Sequence, residues 1–115
     1  MPVLAQASGT QTTTVGTEHT LVDISAPGTF TMHVDSDAMV AGDALELRVY
    51  QMILTGGTRR VAYLQVYYDV QVADDKIKIS VPISNELSDA GSLRFTLKQT
   101  AGTTKNFPWK VLKYG

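Results

Sequence analysis

Two histidines and a short run of carboxylates are the residues of this 115-residue chain best suited to chemistry. His19 and His33 each sit in an alternating pattern, at a position facing away from the expected core. A catalytic dyad needs a nucleophile and an orienting acid within hydrogen-bond reach of the imidazole. Serine and threonine are so common here that a nearby hydroxyl says little, and no Gly-x-Ser-x-Gly turn is present. Both histidines read as surface or interface residues, and no enzyme activity is expected. Asp35, Asp37, Asp43 and Glu46 supply the hard oxygen ligands that calcium takes. Their spacing matches no EF-hand loop, and Asp35 and Asp37 are more simply turn and cap residues. The expectation is therefore no metal and no cofactor.

Two basic segments invite an anion. Gly56-Gly57 followed by Thr58, Arg59 and Arg60 combines glycines with cations. A phosphate loop joins a strand to a helix, whereas this segment joins two strands, so the arginines read as a hairpin tip touching a partner. The tail carries Lys105, Phe107, Trp109, Lys110 and Lys113, the basic and aromatic mixture that suits nucleic acid. Phe107 and Trp109 fall on the core period, so no direct nucleic-acid contact is expected.

The elements that hold these residues are strands. Successive strand side chains alternate between faces, and the period of two recurs along most of the chain. Residues 19–25 make a short strand, and Ala26-Pro27-Gly28 turns the chain. Phe30, Met32 and Val34 then point inward. A loop spans Asp35 to Asp43, with room for one helical turn capped by Asp35, Ser36 or Asp37 and ended by Gly42. Two long strands follow around the Gly56-Gly57 turn. Leu45, Leu47 and Val49 take one face of the first, and Tyr50, Met52 and Leu54 the other. In the second, Leu64, Val66, Tyr68 and Val70 oppose Val61, Tyr63 and Tyr67. Ile77, Ile79 and Val81 are read as inward, and so are Leu93, Phe95 and Leu97. The last strand carries Phe107, Trp109 and Val111. Pro108 lacks a ladder donor, which predicts an edge strand or a bulge there.

Turn signals at mostly 8–12-residue spacing predict a single antiparallel β-sandwich of seven or eight strands, jelly-roll or immunoglobulin-like. Residues 1–18 are polar and threonine-rich, and read as an extended N-terminal arm that crosses onto a neighbouring subunit; residues 19–115 form the sandwich domain. The expected core is Phe30, Met32, Val34, Leu47, Val49, Leu64, Val66, Ile77, Ile79, Val81, Phe95, Leu97 and Trp109.

Composition narrows the function classes. Cysteine is absent, which excludes disulfides and thiolate metal sites. No stretch approaches the roughly 18 apolar residues of a membrane-spanning helix. The opening Met-Pro-Val-Leu-Ala-Gln-Ala lacks a basic flank, so no signal peptide is expected and assembly in the cytosol is. The formal net charge is −1, but residues 1–75 hold nine acids and three bases, while residues 76–115 hold seven bases and two acids. Such asymmetry fits solvated strand faces, head-to-tail complementarity between copies, or an anionic partner. The tyrosine-rich second face of the central hairpin is the strongest remaining signal. Tyr50, Met52, Tyr63 and Tyr67, with Arg59 and Arg60 at the tip, are expected to form a protein interface, because tyrosine and methionine favour protein contacts. A two-sided core and a sugar-stacking platform are the alternatives for the same rings.

The segments Gly28-Thr-Phe-Thr-Met-His-Val-Asp-Ser-Asp-Ala-Met39 and Ala41-Gly-Asp-Ala-Leu-Glu-Leu-Arg-Val49 resemble small proteins encoded among the head genes of tailed bacteriophages. So do Arg60-Val-Ala-Tyr63, Lys76-Ile-Lys-Ile-Ser-Val81 and Phe95-Thr-Leu-Lys-Gln-Thr-Ala-Gly-Thr103. The resemblance covers roughly residues 20–112 and brings no residue-level functional motif. It implies a virion structural protein, most simply a capsid decoration or cement protein on the outer shell. Its partners would be the major capsid protein and other copies of itself. A carbohydrate-binding module on a virion surface, or another head or tail component, is the alternative.

Overall fold

The computed structural model describes residues 3–114, and among them it contains nine strands and no helix. The strands are β1 (Val3–Thr12), β2 (Glu18–Ile24), β3 (Gly28–Asp35), β4 (Ala44–Gln51), β5 (Arg60–Tyr68), β6 (Ile77–Ile79), β7 (Ile83–Asn85), β8 (Leu93–Ala101) and β9 (Asn106–Tyr114). One sheet runs β1-β9-β3-β6, with β7 also paired to β3, and the other runs β2-β8-β4-β5. Every pairing is antiparallel. The strands β6 and β7 share one edge of β3, at His33–Asp35 and Gly28–Phe30 respectively. Between them Ser80 bridges the gap: its N–H donates to the Met32 carbonyl and its hydroxyl accepts from the Met32 N–H, both at 2.9 Å. Counted as one interrupted strand, β6 and β7 complete two four-stranded sheets in jelly-roll order. This order decides between the two sandwich topologies that the sequence allows.

The core lies between the sheets. Phe30, Met32 and Val34 of β3 and Phe107 and Val111 of β9 meet Leu45, Leu47 and Val49 of β4 and Leu93, Phe95 and Leu97 of β8. Alternation on these four central strands follows the expected period. Trp109, Tyr63 and Tyr67 pack against the cluster at its margin.

One end of the sandwich is closed by a buried polar knot. Gln99 and Thr13 are hydrogen-bonded side chain to side chain, and Gln99 also donates to the Thr103 carbonyl at 2.6 Å and the Ala101 carbonyl at 3.1 Å. Asp43, itself buried, accepts from the Val40 N–H at 2.9 Å and lies 3.4 Å from the Lys105 ammonium. The knot ties the loops after β1, β3 and β8 together. It leaves no buried side-chain polar atom unpaired among the described residues, as burial demands.

Five expectations are corrected. The N-terminal segment does not stand apart as an arm: within this chain, Val3–Thr12 is the edge strand β1, paired along its length with β9. The faces of β5 are exchanged. Directly opposed residues of an antiparallel ladder share a face, and Tyr63 and Tyr67 oppose the buried Val49 and Leu45. The tyrosines therefore turn inward, while Leu64 (48% exposed) and the half-buried Val66 turn outward. The faces of β6 are exchanged for the same reason. Lys78 opposes the buried Val34, so Ile77 and Ile79 emerge and Lys78 goes in; Val81, beyond the strand, is exposed as well. Finally, Pro108 lies in a central strand. It opposes Thr10 of β1, but the ladder to β3 stops one residue earlier at Trp109, so the missing donor is accommodated at a ladder end. The loop from Asp35 to Asp43, read as having room for one helical turn, forms turns without helix.

Candidate interaction surface

The residues expected to form one interface fall into three places. Tyr50 lies on the outer face of the second sheet. Its hydroxyl donates to the Glu18 carboxylate at 2.6 Å, and Thr96 donates to the same carboxylate at 2.7 Å. Arg48, paired with Glu46, lies 3.5 Å from the Tyr50 hydroxyl. Tyr63 and Tyr67 are on the opposite, inner face. Met52, Arg59 and Arg60 lie where the hairpin loop leaves β4 and enters β5. Arg59 donates to the Gly91 carbonyl at 3.1 Å and sits 3.9 Å from Asp23, the Met52 N–H donates to the Ser92 carbonyl at 2.9 Å, and Arg60 is exposed. The hairpin tip is thus bound to the loop before β8, and Arg60 stays exposed.

The outer face of the second sheet is a saturated polar network. A cleft of about 350 Å³ there is lined by Glu18, Thr20, Tyr50, Arg59, Arg94 and Thr96. Arg94 grips Asp23 with two bonds, at 2.8 and 3.0 Å, the fork geometry that suits carboxylates. That bond and the charges of Arg94 and Arg59 hold the Asp23 carboxyl below its ordinary range, against partial burial. Burial works to raise the Glu18 carboxyl, but the bonds from Tyr50 and Thr96 and the charges of Arg48 and Lys98 together bring it down. Such a network holds strands β2, β8 and β4 in register; its donors and acceptors are spent on one another.

The chemistry-bearing residues of the sequence are likewise structural. Asp35 accepts from the Asp37 N–H at 3.0 Å in an Asx turn, Asp43 belongs to the buried knot, and Glu46 pairs with Arg48. His19 accepts from the Thr14 N–H at 3.0 Å. His33 bonds the Thr31 hydroxyl, which also bonds Tyr114. Burial, and then the charge of Lys110, lower the His33 pKa, so the ring is neutral at pH 7. It lines a groove of about 530 Å³ across the first sheet, with Asp35, Lys110 and Trp109.

Exposed apolar surface gathers elsewhere. Among the described residues, eight of the fourteen large hydrophobics that stand exposed fall between residues 61 and 81: Val61, Leu64 and Tyr68 on β5, Ile77 and Ile79 on β6, and Val70, Val72 and Val81 in the flanking loops. Both strands are sheet edges. They face each other across the sandwich at one edge, where the Lys78 ammonium of β6 sits 4.8 Å above the Tyr67 ring of β5, and their exposed side chains leave on the outer faces of the two different sheets. Lys78 is held there by Asp75, whose carbonyl accepts at 2.6 Å and whose carboxylate is 3.2 Å away. Burial raises the Tyr67 phenol well above its ordinary pKa, helped by Tyr63 and Asp75, so the ring stays neutral under the ammonium.

No protein-family model matches the chain, and no curated protein matches it either. Two solved structures are similar in overall shape. The VP2 subviral particle of infectious bursal disease virus shares 15% identity over 97% of this chain, at a TM-score of 0.48. The Gx strain of infectious bursal disease virus shares 14% identity over 97% of this chain, at 0.47. This chain spans only 32% and 31% of those chains. A likeness this distant carries no argument about function.

The exposed apolar residues of β5, Val61, Leu64 and Tyr68, lie on the face opposite Tyr63 and Tyr67, and those of β6 come from a segment read as inward-facing. Alternation in Lys76-Ile-Lys-Ile-Ser-Val81 is strong but does not say which face is covered. The burial of Lys78 follows from its ladder partner, Val34, and no signal within the segment itself announces it.

Proposed function

We propose that this chain is a non-enzymatic structural protein of a virion, a capsid decoration or cement protein that docks on the major capsid protein shell. The docking surface is the apolar flank on the β6 side, centred on Ile77, Ile79 and Val81. The observation that carries the reading is the exposure of three large hydrophobics on and beside the edge strand β6, Ile77 (52%), Ile79 (54%) and Val81 (52%). Patches of that kind mark protein contact sites. Two further points support it. Jelly-roll sandwiches are common in viral capsid domains, although lectins and cupins use them too. The sequence segments quoted above also resemble phage head proteins. The sugar-platform alternative rested on the hairpin tyrosines, and Tyr63 and Tyr67 are turned into the core. In this reading the protein acts at the capsid surface after assembly in the host cytoplasm.

The test is cosedimentation of the purified chain with virion shells stripped of it. An Ile77→Lys, Ile79→Lys double variant should stay folded and lose binding, because each position is half exposed and a lysine there must be desolvated on docking. A Tyr50→Phe variant should bind as the parent does. Full binding by the lysine variant would overturn the proposed surface, and no binding by the parent chain would overturn the function.

A further inference from the structure

The two outermost long strands of the molecule are unusual edges. Exposed edges are normally blunted by charge, by proline or by cover, because a free row of N–H and C=O groups templates pairing with another chain. The strand β1 has no charged residue and no proline from Val3 to Thr12. The strand β5 has none from Val61 to Tyr68; Arg60, at its first position, is the sole exception. The two are nearly equal in length, at ten and nine residues. They also lie at opposite ends of the sandwich: β1 begins one sheet beside β2, and β5 ends the other beside β6. Each carries a single β-bulge, at Gln6 of β1 and Ala62 of β5, but no charge or proline guards the rest of either edge, and neither end competes with the other for space.

Charge favours a β1-to-β5 match over a β1-to-β1 match. No acid lies on β1 or on its neighbour β9, which carries Lys110 and Lys113 opposite Ser8 and Leu4. The segment just after β5 holds Asp69, Asp74 and Asp75, with Asp74 exposed and no base before Lys76. An antiparallel match of β1 to β5 places the N-terminal half of β1, flanked by the β9 lysines, beside the C-terminal end of β5 and its aspartates. An antiparallel β5-to-β5 match would bring Arg60 of each copy to the same aspartates, and the β1-capped variant below separates the two matches.

We infer that this protein associates head to tail with other copies of itself, the free edge of β1 adding antiparallel to the free edge of β5 on the next copy. The result is one continuous sheet across the junction, β2-β8-β4-β5 of one copy running into β1-β9-β3-β6 of the next. The contact is heterologous, so it propagates unless it closes into a ring. It needs no shell, and therefore goes beyond the function proposed above and can be tested without it.

The experiment is sedimentation velocity of the isolated full chain across a concentration series, with two capped variants. The first carries Leu64→Lys and Tyr68→Lys, both outward positions on β5. The second carries Ser8→Lys and Thr10→Lys on β1. All four sites are at the surface, and circular dichroism melts establish that the variants fold. The parent chain should form a ladder of species beyond the dimer. Each variant alone should associate at least about tenfold more weakly, which is roughly 1.4 kcal/mol. An equimolar mixture should recover association but stop at a one-to-one dimer, because each variant keeps one good edge. A parent chain that stays monomeric at all concentrations refutes the inference. So does a β1-capped variant that dimerises by itself, which would mean β5 pairs with β5, and so does a mixture that recovers nothing.

Discussion

Leu47 and Ile79 are both apolar, both in strands, and both read as core residues from their sequence period. The fold separates them: Leu47 is 1% exposed and Ile79 is 54% exposed. Truncating a fully buried leucine to alanine removes its transfer free energy and leaves a cavity, at a cost of about 2–5 kcal/mol. Leu47 sits mid-strand on β4 between the ladders to β5 and β8, opposite Gln65 and Leu97. That site has paired backbone on both sides and little freedom to collapse, which favours the upper half of the range. For a domain of this size each kcal/mol shifts Tm by about 4 °C, so Leu47→Ala should lower Tm by roughly 14–20 °C. Ile79 has already left about half of its side chain in water. Ile79→Ala should cost no more than about 1 kcal/mol and a few degrees. Thermal unfolding followed by far-ultraviolet circular dichroism, with urea titration as a second measure, reads both. Equal losses would refute the assignment of β6 faces, and a larger loss at Ile79 would return Ile77, Ile79 and Val81 to the core.

Three other outcomes follow from the same structure. Lys78→Met keeps the buried stem and should stay within about 1 kcal/mol of the parent, whereas Lys78→Glu sets a carboxylate beside Asp75 and should cost about 3 kcal/mol or more in urea unfolding. Gln99→Leu leaves Thr13 and the carbonyls of Ala101 and Thr103 without their partner, at about 1–3 kcal/mol for each buried group that stays unpaired, and amide exchange should rise in the loops around residues 13–17 and 101–105. Glu18 and Asp23 have folded pKa values below their ordinary 4.5 and 3.8; their stabilisation is complete above those values and is lost as pH falls through the lowered ones. A Glu18→Gln, Asp23→Asn variant should therefore show a flatter decline of Tm on acidification below about pH 4.5 than the parent.

The strands that carry one apolar face were legible from sequence. On β3 and β8, Phe30, Met32, Val34, Leu93, Phe95 and Leu97 alternate with polar neighbours, and one face only can be buried. On β5 the pattern Val61, Tyr63, Leu64, Val66, Tyr67, Tyr68 places apolar groups on both faces, and the period cannot choose between them. The ladder chose: Tyr63 and Tyr67 oppose Val49 and Leu45 and so lie over the core, Tyr50 takes the outer face by alternation with Val49, and the shift between Val49 and Tyr50 turns Val61 outward. Lys78 went inward because Asp75 and the Tyr67 ring receive its ammonium, a long-range arrangement with no local signature. The N-terminal segment misled in a different way. Its small polar residues have little to bury, and β1 is indeed largely exposed; its place on β9 comes from backbone pairing, which composition does not report. The buried knot of Thr13, Asp43 and Gln99 was invisible for the same reason, since its members are scattered along the chain and polar.

The account stands or falls on which surface meets the shell. Hydrogen–deuterium exchange of the chain, free and bound to stripped virion shells, reads that surface segment by segment. The account predicts slowed exchange in residues 70–83 on binding, with the Glu18–Tyr50–Thr96 face and the knot around Gln99 unchanged. Protection confined to the Glu18–Tyr50–Thr96 face, with residues 70–83 exchanging as in the free protein, would contradict it.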